Sequence, residues 1–469
     1  MKSKYKVLLI DTLIFAIGGF GSKILLFLLL PLYTNVLSDS EYGIADLVFT
    51  IGQLVLPFVS LTIYNGLIRF GLDKKESKEN VILCSMIVFL LGSLLAVAIF
   101  PLLTLYKPIE NYAFYIPIYV IASFASTNCL SYLKVKNKNK TFALLSICQA
   151  ALLVLCNLLF LLVIRLKVEG YLLSTIISTG VIAIVAFFCS GMVKDLRIAH
   201  LDSKLFKNII IFSLPFILND ISWWFIHSSD KIMIEWMISS AALGLYTAAS
   251  KIPSLINVFA SIFSQAWGIS SIKEYDREND TSFYSNVFNY FSLCIFGLCI
   301  AIIAIVKVFM KFYVGQEFFD SWRFVPLLLL SATFSSVSAF AGSMFGAMKK
   351  SKTIMYTTII AGVANIALNY IFIRLVGVWG AVIGTVSSYA LIALIRMVVV
   401  YRNIKIDYHL YKFIPLCLLT TAEAILVGLD FNPLVVGISS IVVFLIIANK
   451  DLLNIARLIT KKIKGKKEE

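Results

Sequence analysis

Uninterrupted apolar segments recur along the whole chain, and each is long enough to cross a lipid bilayer as a helix. A transmembrane helix needs roughly 20 mostly apolar residues. Of the 469 residues, 60% are hydrophobic and only 14% are charged, whereas a soluble domain carries about 25% charged residues. The apolar residues are consecutive rather than alternating, a pattern that is not typical of a transmembrane β-barrel. The sequence therefore predicts an all-α integral membrane protein.

Fourteen helical spans account for these segments. They are predicted at residues 7–37, 42–70, 81–105, 112–133, 141–164, 169–193, 206–237, 243–271, 282–310, 322–348, 353–374, 378–401, 410–428 and 431–449. The connections between them are short and polar, so we expect no soluble domain.

Basic residues are distributed unevenly between the two ends of these helices. If the spans alternate in direction, 29 of the 41 Lys and Arg residues lie on one face of the membrane and 7 on the other. Cytoplasmic loops carry the excess of Lys and Arg in multi-pass proteins. The bias predicts that both termini are cytoplasmic. The net charge of +15 then indicates contact with anionic lipids rather than with nucleic acid.

The first twelve spans contain a duplication. A shift of 201 residues aligns residues 37–43 with 238–244, and a shift of 212 aligns 138–141 with 350–353. Each half contains six spans, so the halves form a parallel repeat, as in many transporters. The predicted regions are an N-terminal lobe, a cytoplasmic linker, a C-terminal lobe, two extra spans and a basic cytoplasmic tail, at residues 1–193, 194–206, 207–402, 403–449 and 450–469.

Polar residues form stripes on predicted spans 2, 7 and 8. A helix turns about 100° per residue, which places Asp220, Trp224, His227 and Lys231 on one face of span 7. Residues at equivalent positions under the 201-residue shift line one face of span 2 and of span 8: Asp46, Thr50, Gln53, Ser60 and Tyr64, and Thr247, Lys251, Ser254, Ser261 and Gln265. These faces predict a water-filled cavity between the two halves. The alternative is hydrogen bonding between neighbouring helices.

Ionisable residues deep in a span are energetically costly and point to function. Lys23 lies near the middle of span 1, too deep for its ammonium to reach water easily. Asp230 and Lys251 are predicted at similar depths near the outer side, where we expect an ion pair that closes a gate. Arg396 is predicted at a cytoplasmic helix end, where its side chain can extend into water. Glu423 lies in span 13 with no partner that the sequence suggests.

Motifs for catalysis and for nucleotide or metal binding are missing from the sequence. It contains no G-x-x-x-x-G-K-[ST], no H-E-x-x-H and no G-x-S-x-G. We therefore expect a transporter rather than an enzyme, with neither a cofactor nor a metal. Transport would be driven by an ion gradient or by consumption of the transported molecule outside.

Two blocks of residues resemble the polysaccharide flippases of bacteria. They are Gly21-Ser22-Lys23, Leu28 to Thr34, Glu41-Tyr42-Gly43 and Asp46-Leu47 in the first block, and Ser228 to Lys231, Gly244-Leu245-Tyr246, Ala249 to Pro253 and Phe263 to Trp267 in the second. These flippases export O-antigen and capsule repeat units and belong to the multidrug/oligosaccharidyl-lipid/polysaccharide exporter superfamily. The two extra C-terminal spans resemble the peptidoglycan-precursor flippases of the same superfamily.

This resemblance implies a MATE-like fold of two six-helix lobes in the bacterial cytoplasmic membrane. It implies a polyprenyl-diphosphate-linked oligosaccharide as the substrate, H⁺ or Na⁺ as a coupling ion, and polysaccharide polymerase and chain-length proteins as partners. Export of a peptidoglycan precursor, or of small drugs coupled to a cation, is the alternative. Lysines in a wet cavity suit a diphosphate, whereas cationic drugs call for acidic residues. The candidate substrate ligands are Lys23, Asp220, Trp224, His227, Lys231 and Lys251.

Overall fold

The computed structural model describes residues 27–73, 75–277, 281–348 and 350–465, and these residues contain helices and connections without a β-strand. The helices are α1 (Leu30–Val36), α2 (Asp39–Ser60), α3 (Ile63–Gly71), α4 (Lys78–Leu103), α5 (Tyr115–Val135), α6 (Asn139–Asn157), α7 (Lys167–Ser190), α8 (Met192–Ile198), α9 (Ser203–Met237), α10 (Ser240–Lys251), α11 (Ser254–Arg277), α12 (Thr281–Tyr313), α13 (Val325–Ala347), α14 (Ser351–Val376), α15 (Val378–Ile404), α16 (Leu410–Gly428) and α17 (Pro433–Gly465). Short 3₁₀ segments at Lys107–Tyr112 and Gln316–Arg323 and a π segment at Leu158–Val163 join some of them.

Twelve of the described helices are long and apolar enough to cross a membrane, judged by length and composition. They correspond to twelve of the fourteen predicted spans. The span predicted at 7–37 lies largely outside the described residues. The span predicted at 243–271 is divided between α10 and α11, on either side of Ile252 and Pro253. The total of fourteen stays a prediction.

The outward faces of these helices are apolar, as contact with lipid requires. In α4, Leu90, Leu94 and Val97 are exposed, whereas Val88 and Ala96 on the opposite side are buried. A helix that is apolar all round is typical of a membrane span. The hydrophobic residues that the sequence supplies in excess therefore cover the surface of the protein as well as its core.

The helices form two compact units. Unit 1 comprises the described residues up to Thr247 together with Gln316–Phe318, and unit 2 comprises Ala248–Gly315 and the described residues from Phe319 onward. In unit 1, α2 packs against α5, and α9 packs against both α2 and α3. The lobe boundary predicted at 194–206 stays a prediction.

Side-chain caps fix the starts of two helices that matter for the site. At α2, the Ser38 hydroxyl accepts from the backbone N–H of Glu41 at 3.2 Å, and the Glu41 carboxylate accepts from the backbone N–H of Ser38 at 3.0 Å. At α9, the Asp202 carboxylate accepts from the backbone N–H groups of Lys204 and Leu205. Each cap stabilises its helix by about 1 kcal/mol.

The duplication is visible in a reciprocal contact inside unit 1. A Cβ atom on Gly43 would overlap the carbonyl oxygen of Ser240, and a Cβ atom on Gly244 would overlap that of Asp39. Asp39 and Ser240, like Gly43 and Gly244, are separated by the 201-residue shift. Each contact is therefore the symmetry equivalent of the other, as a local two-fold axis requires. Glycine is needed at both positions because the backbones touch there.

The second predicted span, 42–70, is two helices instead of one. Leu61 and Thr62 separate α2 from α3 and have positive φ angles of 49° and 47°. Such a conformation costs a non-glycine residue roughly 1–2 kcal/mol. Thr62 is fixed there because its hydroxyl donates to the carbonyl of Ser213 in α9 at 2.8 Å. The prediction of a continuous helix was wrong, since the residue that holds the break is 151 positions away in sequence.

Arg396 in unit 2 is buried, with only 3% of its surface exposed. Its guanidinium donates to the hydroxyls of Ser338, Thr357 and Thr358 at 2.9–3.2 Å, and also to the Ser338 carbonyl. Gly342 leaves the space that the guanidinium needs, because a Cβ atom there would lie 2.9 Å from Nη1. The expectation that Arg396 extends into water was wrong. Hydroxyl groups of α13 and α14 accept the hydrogen bonds that water would otherwise accept from the guanidinium.

The extra helices α16 and α17 are joined to α12 by a buried polar network in unit 2. Lys412 pairs with Asp451 at 2.6 Å, and the side-chain amide of Asn289 donates to the same carboxylate at 2.9 Å. The lysine side chain is 15% exposed and the aspartate side chain 10%. One residue from each of the three helices therefore contributes to the network.

Candidate functional site: a polar pocket lined by α2, α3 and α9

The polar stripe of α9 faces α2 and α3 within unit 1. Asp220, Trp224 and Lys231 each contact one of these two helices, and all three contacts involve polar groups. Asp220 contacts α3, whereas Trp224 and Lys231 contact α2. Residues three, four and seven apart share one side of a helix. The polar residues that α9 presents with this spacing therefore contact a row of polar groups on α2 and α3.

The strongest of these contacts is an ion pair between Lys231 and Asp46. The lysine ammonium lies 2.7 Å from the aspartate carboxylate, with the two side chains 16% and 8% exposed. Thr247 also donates to this carboxylate at 3.4 Å, and it is the residue equivalent to Asp46 under the 201-residue shift. The two polar faces that the sequence relates by the repeat therefore meet at Asp46. Lys231 carries a counter-charge that neutralises this buried carboxylate.

Two neutral donors complete the row of polar contacts. The indole N–H of Trp224 donates to the backbone carbonyl of Thr50 at 2.9 Å. The hydroxyl of Tyr64 donates to the Asp220 carboxylate at 2.8 Å. Thr50 and Trp224 are buried, whereas Tyr64 and Asp220 are only partly covered. The row of polar contacts therefore extends from a buried end at the Asp46–Lys231 ion pair to a partly exposed end at Asp220, called the open end below.

A pocket of about 290 Å³ lies at the open end of this row. It is lined by Gln53, Leu56, Pro57, Ser60, Tyr64, Asp220, Trp223, Trp224, His227 and Ser228. The rings of Trp223 and His227 stack with centroids 5.5 Å apart and an interplanar angle of 9°. Flat aromatic faces beside hydroxyl, amide and carboxylate groups are chemically suited to sugars. The break at Leu61 and Thr62 directs Tyr64 on α3 toward the same space as Ser60 on α2.

Asp230 has a partner that the sequence did not suggest. The hydroxyl of Tyr246 in α10 donates a short hydrogen bond to its carboxylate. Asp230 also accepts from the backbone N–H of Lys231 at 2.9 Å. Its pairing with Lys251 stays a prediction.

The remaining predicted residues are not part of the described pocket. Lys23 lies outside the described residues. Lys251, Ser254, Ser261 and Gln265 belong to unit 2, on α10 and α11. The hydroxyls of Ser254 and Ser261 donate to carbonyls of their own helices, those of Lys251 and Val258.

Six of the lining residues, on spans 2 and 7, were predicted from the sequence, whereas their hydrogen-bond partners were not: Gln53, Ser60, Tyr64, Asp220, Trp224 and His227. The sequence predicted a pair between Asp230 and Lys251, which stays a prediction, and it did not predict the pair of Lys231 with Asp46. The apolar lining residues Leu56 and Pro57 carry no polar signal. A cavity lined on one side by apolar residues cannot be recognised from polar stripes alone.

The comparisons with known proteins fit this architecture. The sequence model of the polysaccharide biosynthesis protein family matches residues 8–269, which are more than half of the chain and contain every residue of the pocket. The chain belongs to the polysaccharide biosynthesis protein family. It is therefore a flippase or transporter of the MOP superfamily and a multi-pass membrane protein. No curated protein matches the chain.

Two solved structures have the same fold as this family member. The lipid II flippase MurJ, in an inward closed conformation, is 14% identical with a TM-score of 0.70, and the match covers 94% of this chain and 100% of MurJ. An inward-facing multidrug resistance transporter of the MATE family is 15% identical with a TM-score of 0.67, and the match covers 83% of this chain and 94% of the transporter. The predicted MATE-like fold is confirmed.

Proposed function

We propose that this family member moves polyprenyl-diphosphate-linked oligosaccharide repeat units from the inner to the outer leaflet by alternating access. The product would supply a surface polysaccharide such as O-antigen, lipopolysaccharide or capsule. The observation that carries the proposal is the pocket of about 290 Å³, with its stacked Trp223 and His227, among membrane-spanning helices. Sugars need such a polar and aromatic surface because lipid offers them no hydrogen bonds.

The ion pair next to the pocket supplies a way to receive the diphosphate. A diphosphate carries several negative charges, and a lysine ammonium can replace part of its hydration. Lys231 is neutralised by Asp46 at 2.7 Å, so a diphosphate must displace Asp46 to bind there. Exchange of partners would loosen α9 from α2. Substrate binding and helix movement would then be one event, as alternating access requires.

Lys23 and Lys251 are proposed as further ligands of the diphosphate. Lys23→Arg should retain substantial transport, because the positive charge remains although the guanidinium has a different shape. Lys23→Met is nearly isosteric and uncharged, so it should abolish export while the protein still inserts. The measurement is surface polysaccharide together with lipid-linked repeats inside the cell. Full activity of Lys23→Met would assign the charge requirement to Lys231 and Lys251.

Export of a peptidoglycan precursor is the second candidate. Residues 403–449 make up about a tenth of the chain, so a match that covers 94% of it must include part of the two extra spans. The fold match to the lipid II flippase therefore extends into these helices, which favours a lipid-linked substrate. Export of cationic drugs has less support, because Asp46 is neutralised by Lys231 and Asp220 accepts from Tyr64.

We also propose that the protein lies in the bacterial cytoplasmic membrane with both termini in the cytoplasm. Anionic lipids would contact its basic loops, H⁺ or Na⁺ would drive transport, and a polysaccharide polymerase and chain-length proteins would receive the product. Reporter fusions after Lys140, Lys204 and Lys466 should be cytoplasmic, whereas a fusion near Glu317 should be external. An external C-terminus would contradict the predicted number of spans.

The proposed function is tested by depleting the protein and assaying lipid-linked repeat units on each leaflet. Depletion should cause lipid-linked repeats to accumulate on the cytoplasmic leaflet while surface polysaccharide is lost. Purified protein in vesicles should then move a labelled diphosphate-linked oligosaccharide between leaflets. Movement of lipid II in place of the oligosaccharide would select the second candidate, and movement of neither would contradict both.

A further inference from the structure

Glu423 in α16 is a buried carboxyl group that the proposed transport pathway does not use. It is 1% exposed, and both of its carboxylate oxygens lack a hydrogen-bond partner among the residues that the structure describes. It lies on the inward face of its helix with Leu416, Thr420, Ala424 and Val427, all of them buried. The opposite face of α16 carries exposed apolar residues. Glu423 therefore points into the protein.

No Lys, Arg or His in the described part of the chain forms an ion pair with Glu423. Cys299 on α12 is a titratable side chain close enough to interact electrostatically with Glu423, and α13 carries no titratable residue between Val325 and Ala347. The hydroxyl of Thr420, one turn away, already donates to the carbonyl of Leu416. An ionised carboxylate would therefore have neither a counter-ion nor a donor among the described residues.

The charged groups of the packed helices lie farther along and have other partners. Lys412 is eleven residues from Glu423 on α16, about 16 Å at 1.5 Å per residue, and pairs with Asp451 of α17. Lys307 of α12 pairs with Asp430, which is seven residues beyond Glu423. Lys450 is adjacent in sequence to Asp451, within α17. The charged residues near both ends of α16 therefore have counter-charges, whereas Glu423 in its interior has none among the described residues.

Burial of an unpaired ion in an apolar interior costs far more free energy than burial of the neutral acid. From this geometry we infer that Glu423 is a proton-binding site, with the proton bound in the described conformation. The carboxylate and a proton combine to form the acid, and the reverse step returns the proton to water when a conformational change admits water to α16. No other bond forms or breaks. This exchange would make the proton the coupling ion of the proposed flippase, and only this last point rests on the proposed function.

The first test is vibrational spectroscopy of the purified full-length protein. The carbonyl stretching band of a protonated carboxylic acid should be present at neutral pH, absent from Glu423→Gln and retained in the control variant Glu317→Gln, whose side chain is exposed. An ionised Glu423 at neutral pH would overturn the inference. A band that changes when sodium is added would also overturn it, because it would show a cation site.

The second test measures transport in vesicles with and without a pH gradient. Glu423→Gln cannot release a proton, so acceleration by the gradient should be lost while movement without a gradient continues. A Gln variant that responds like the wild type would overturn the coupling role.

Glu423→Met should fold and unfold like the wild type, since no partner is lost, and marked destabilisation by Met would contradict a neutral, unpartnered acid. If the wild type moves no lipid-linked oligosaccharide at all, the proposed function fails, and the spectroscopic test still decides the protonation of Glu423.

Discussion

Asp46 in unit 1 is buried in a different way from Arg396 and Glu423 in unit 2, although unit 2 also contains the Lys412–Asp451 pair. In unit 1, Asp46 is paired with Lys231 across two helices, next to a pocket. In unit 2, Arg396 is surrounded by hydroxyl groups and Glu423 has no partner among the described residues. An ion pair such as Asp46–Lys231 can exchange one partner for a charged substrate. A guanidinium that only hydroxyls and a carbonyl bind, as at Arg396, stabilises the packing of its helices. A buried carboxyl group without a partner, as at Glu423, can bind a proton.

The largest effect is expected when the pair in unit 1 is broken. Asp46→Ala leaves the Lys231 ammonium buried without its counter-charge, which should destabilise the protein by about 3–5 kcal/mol. Thermal or denaturant unfolding of the purified protein measures this loss. The double variant Asp46→Ala with Lys231→Met should recover most of it, because no unpaired charge remains. Equal stability of Asp46→Ala and the wild type would show that the pair does not form.

A smaller effect is expected at Arg396. Arg396→Met removes hydrogen bonds from a charged group but strands no opposite charge, so the loss should be about 2 kcal/mol. Thr357 and Thr358 still donate to carbonyls of their own helix. The same unfolding measurement applies. A loss as large as that of Asp46→Ala would mean that Arg396 has an acidic partner and would remove the difference between these two sites.

Trp224→Phe should have a smaller effect still. The substitution keeps an aromatic ring but removes the hydrogen bond to the Thr50 carbonyl, which should cost about 1 kcal/mol of stability. The control is Trp236→Phe on the same helix, because Trp236 is 67% exposed. A loss at the control as large as that at Trp224 would indicate that the ring alone, rather than its hydrogen bond, matters.

The smallest effect is expected at the exposed cluster beyond α16. The hydrogen bond from Lys307 and the charges of Lys307 and Arg323 lower the pKa of Asp430 below its ordinary value of 3.8. Because the folded pKa is the lower one, the group stabilises the fold above its ordinary pKa, and this contribution disappears as the pH falls through the folded pKa. Asp430→Asn should therefore lower the Tm slightly at neutral pH and not at strongly acidic pH. A larger effect at acidic pH would contradict the sign of the shift.

Much of the fold could be predicted from the sequence because the membrane imposes it. Apolar length sets the helices, and the 201-residue repeat accounts for the reciprocal close contacts of Gly43 and Gly244 that the structure shows. The break at Leu61 and Thr62 could not be predicted, because the carbonyl that holds it belongs to α9. Helix periodicity reports which residues share a face, whereas it does not report what stands opposite that face.

The candidate site shows the same limit. The stripe of Asp220, Trp224, His227 and Lys231 followed from periodicity alone, and these residues do face α2, α3 or the pocket. Their partners depend on the register between helices, which single-helix periodicity does not contain. The burial of Arg396 was missed for a related reason. Ser338, Thr357 and Thr358 look like ordinary helix residues until the structure brings α13, α14 and α15 together.

The pocket beside the Asp46–Lys231 pair is proposed to receive a diphosphate-linked oligosaccharide. The most direct measurement places a photoreactive amino acid at Trp223 in the pocket, with a matched variant at Phe188, which is 66% exposed on the outer face of α7. A labelled polyprenyl-diphosphate-linked oligosaccharide should crosslink at position 223 and not at position 188. Unlabelled diphosphate lipid should compete, and a cationic drug should not. Equal crosslinking at both positions, or competition by the drug alone, would contradict the claim.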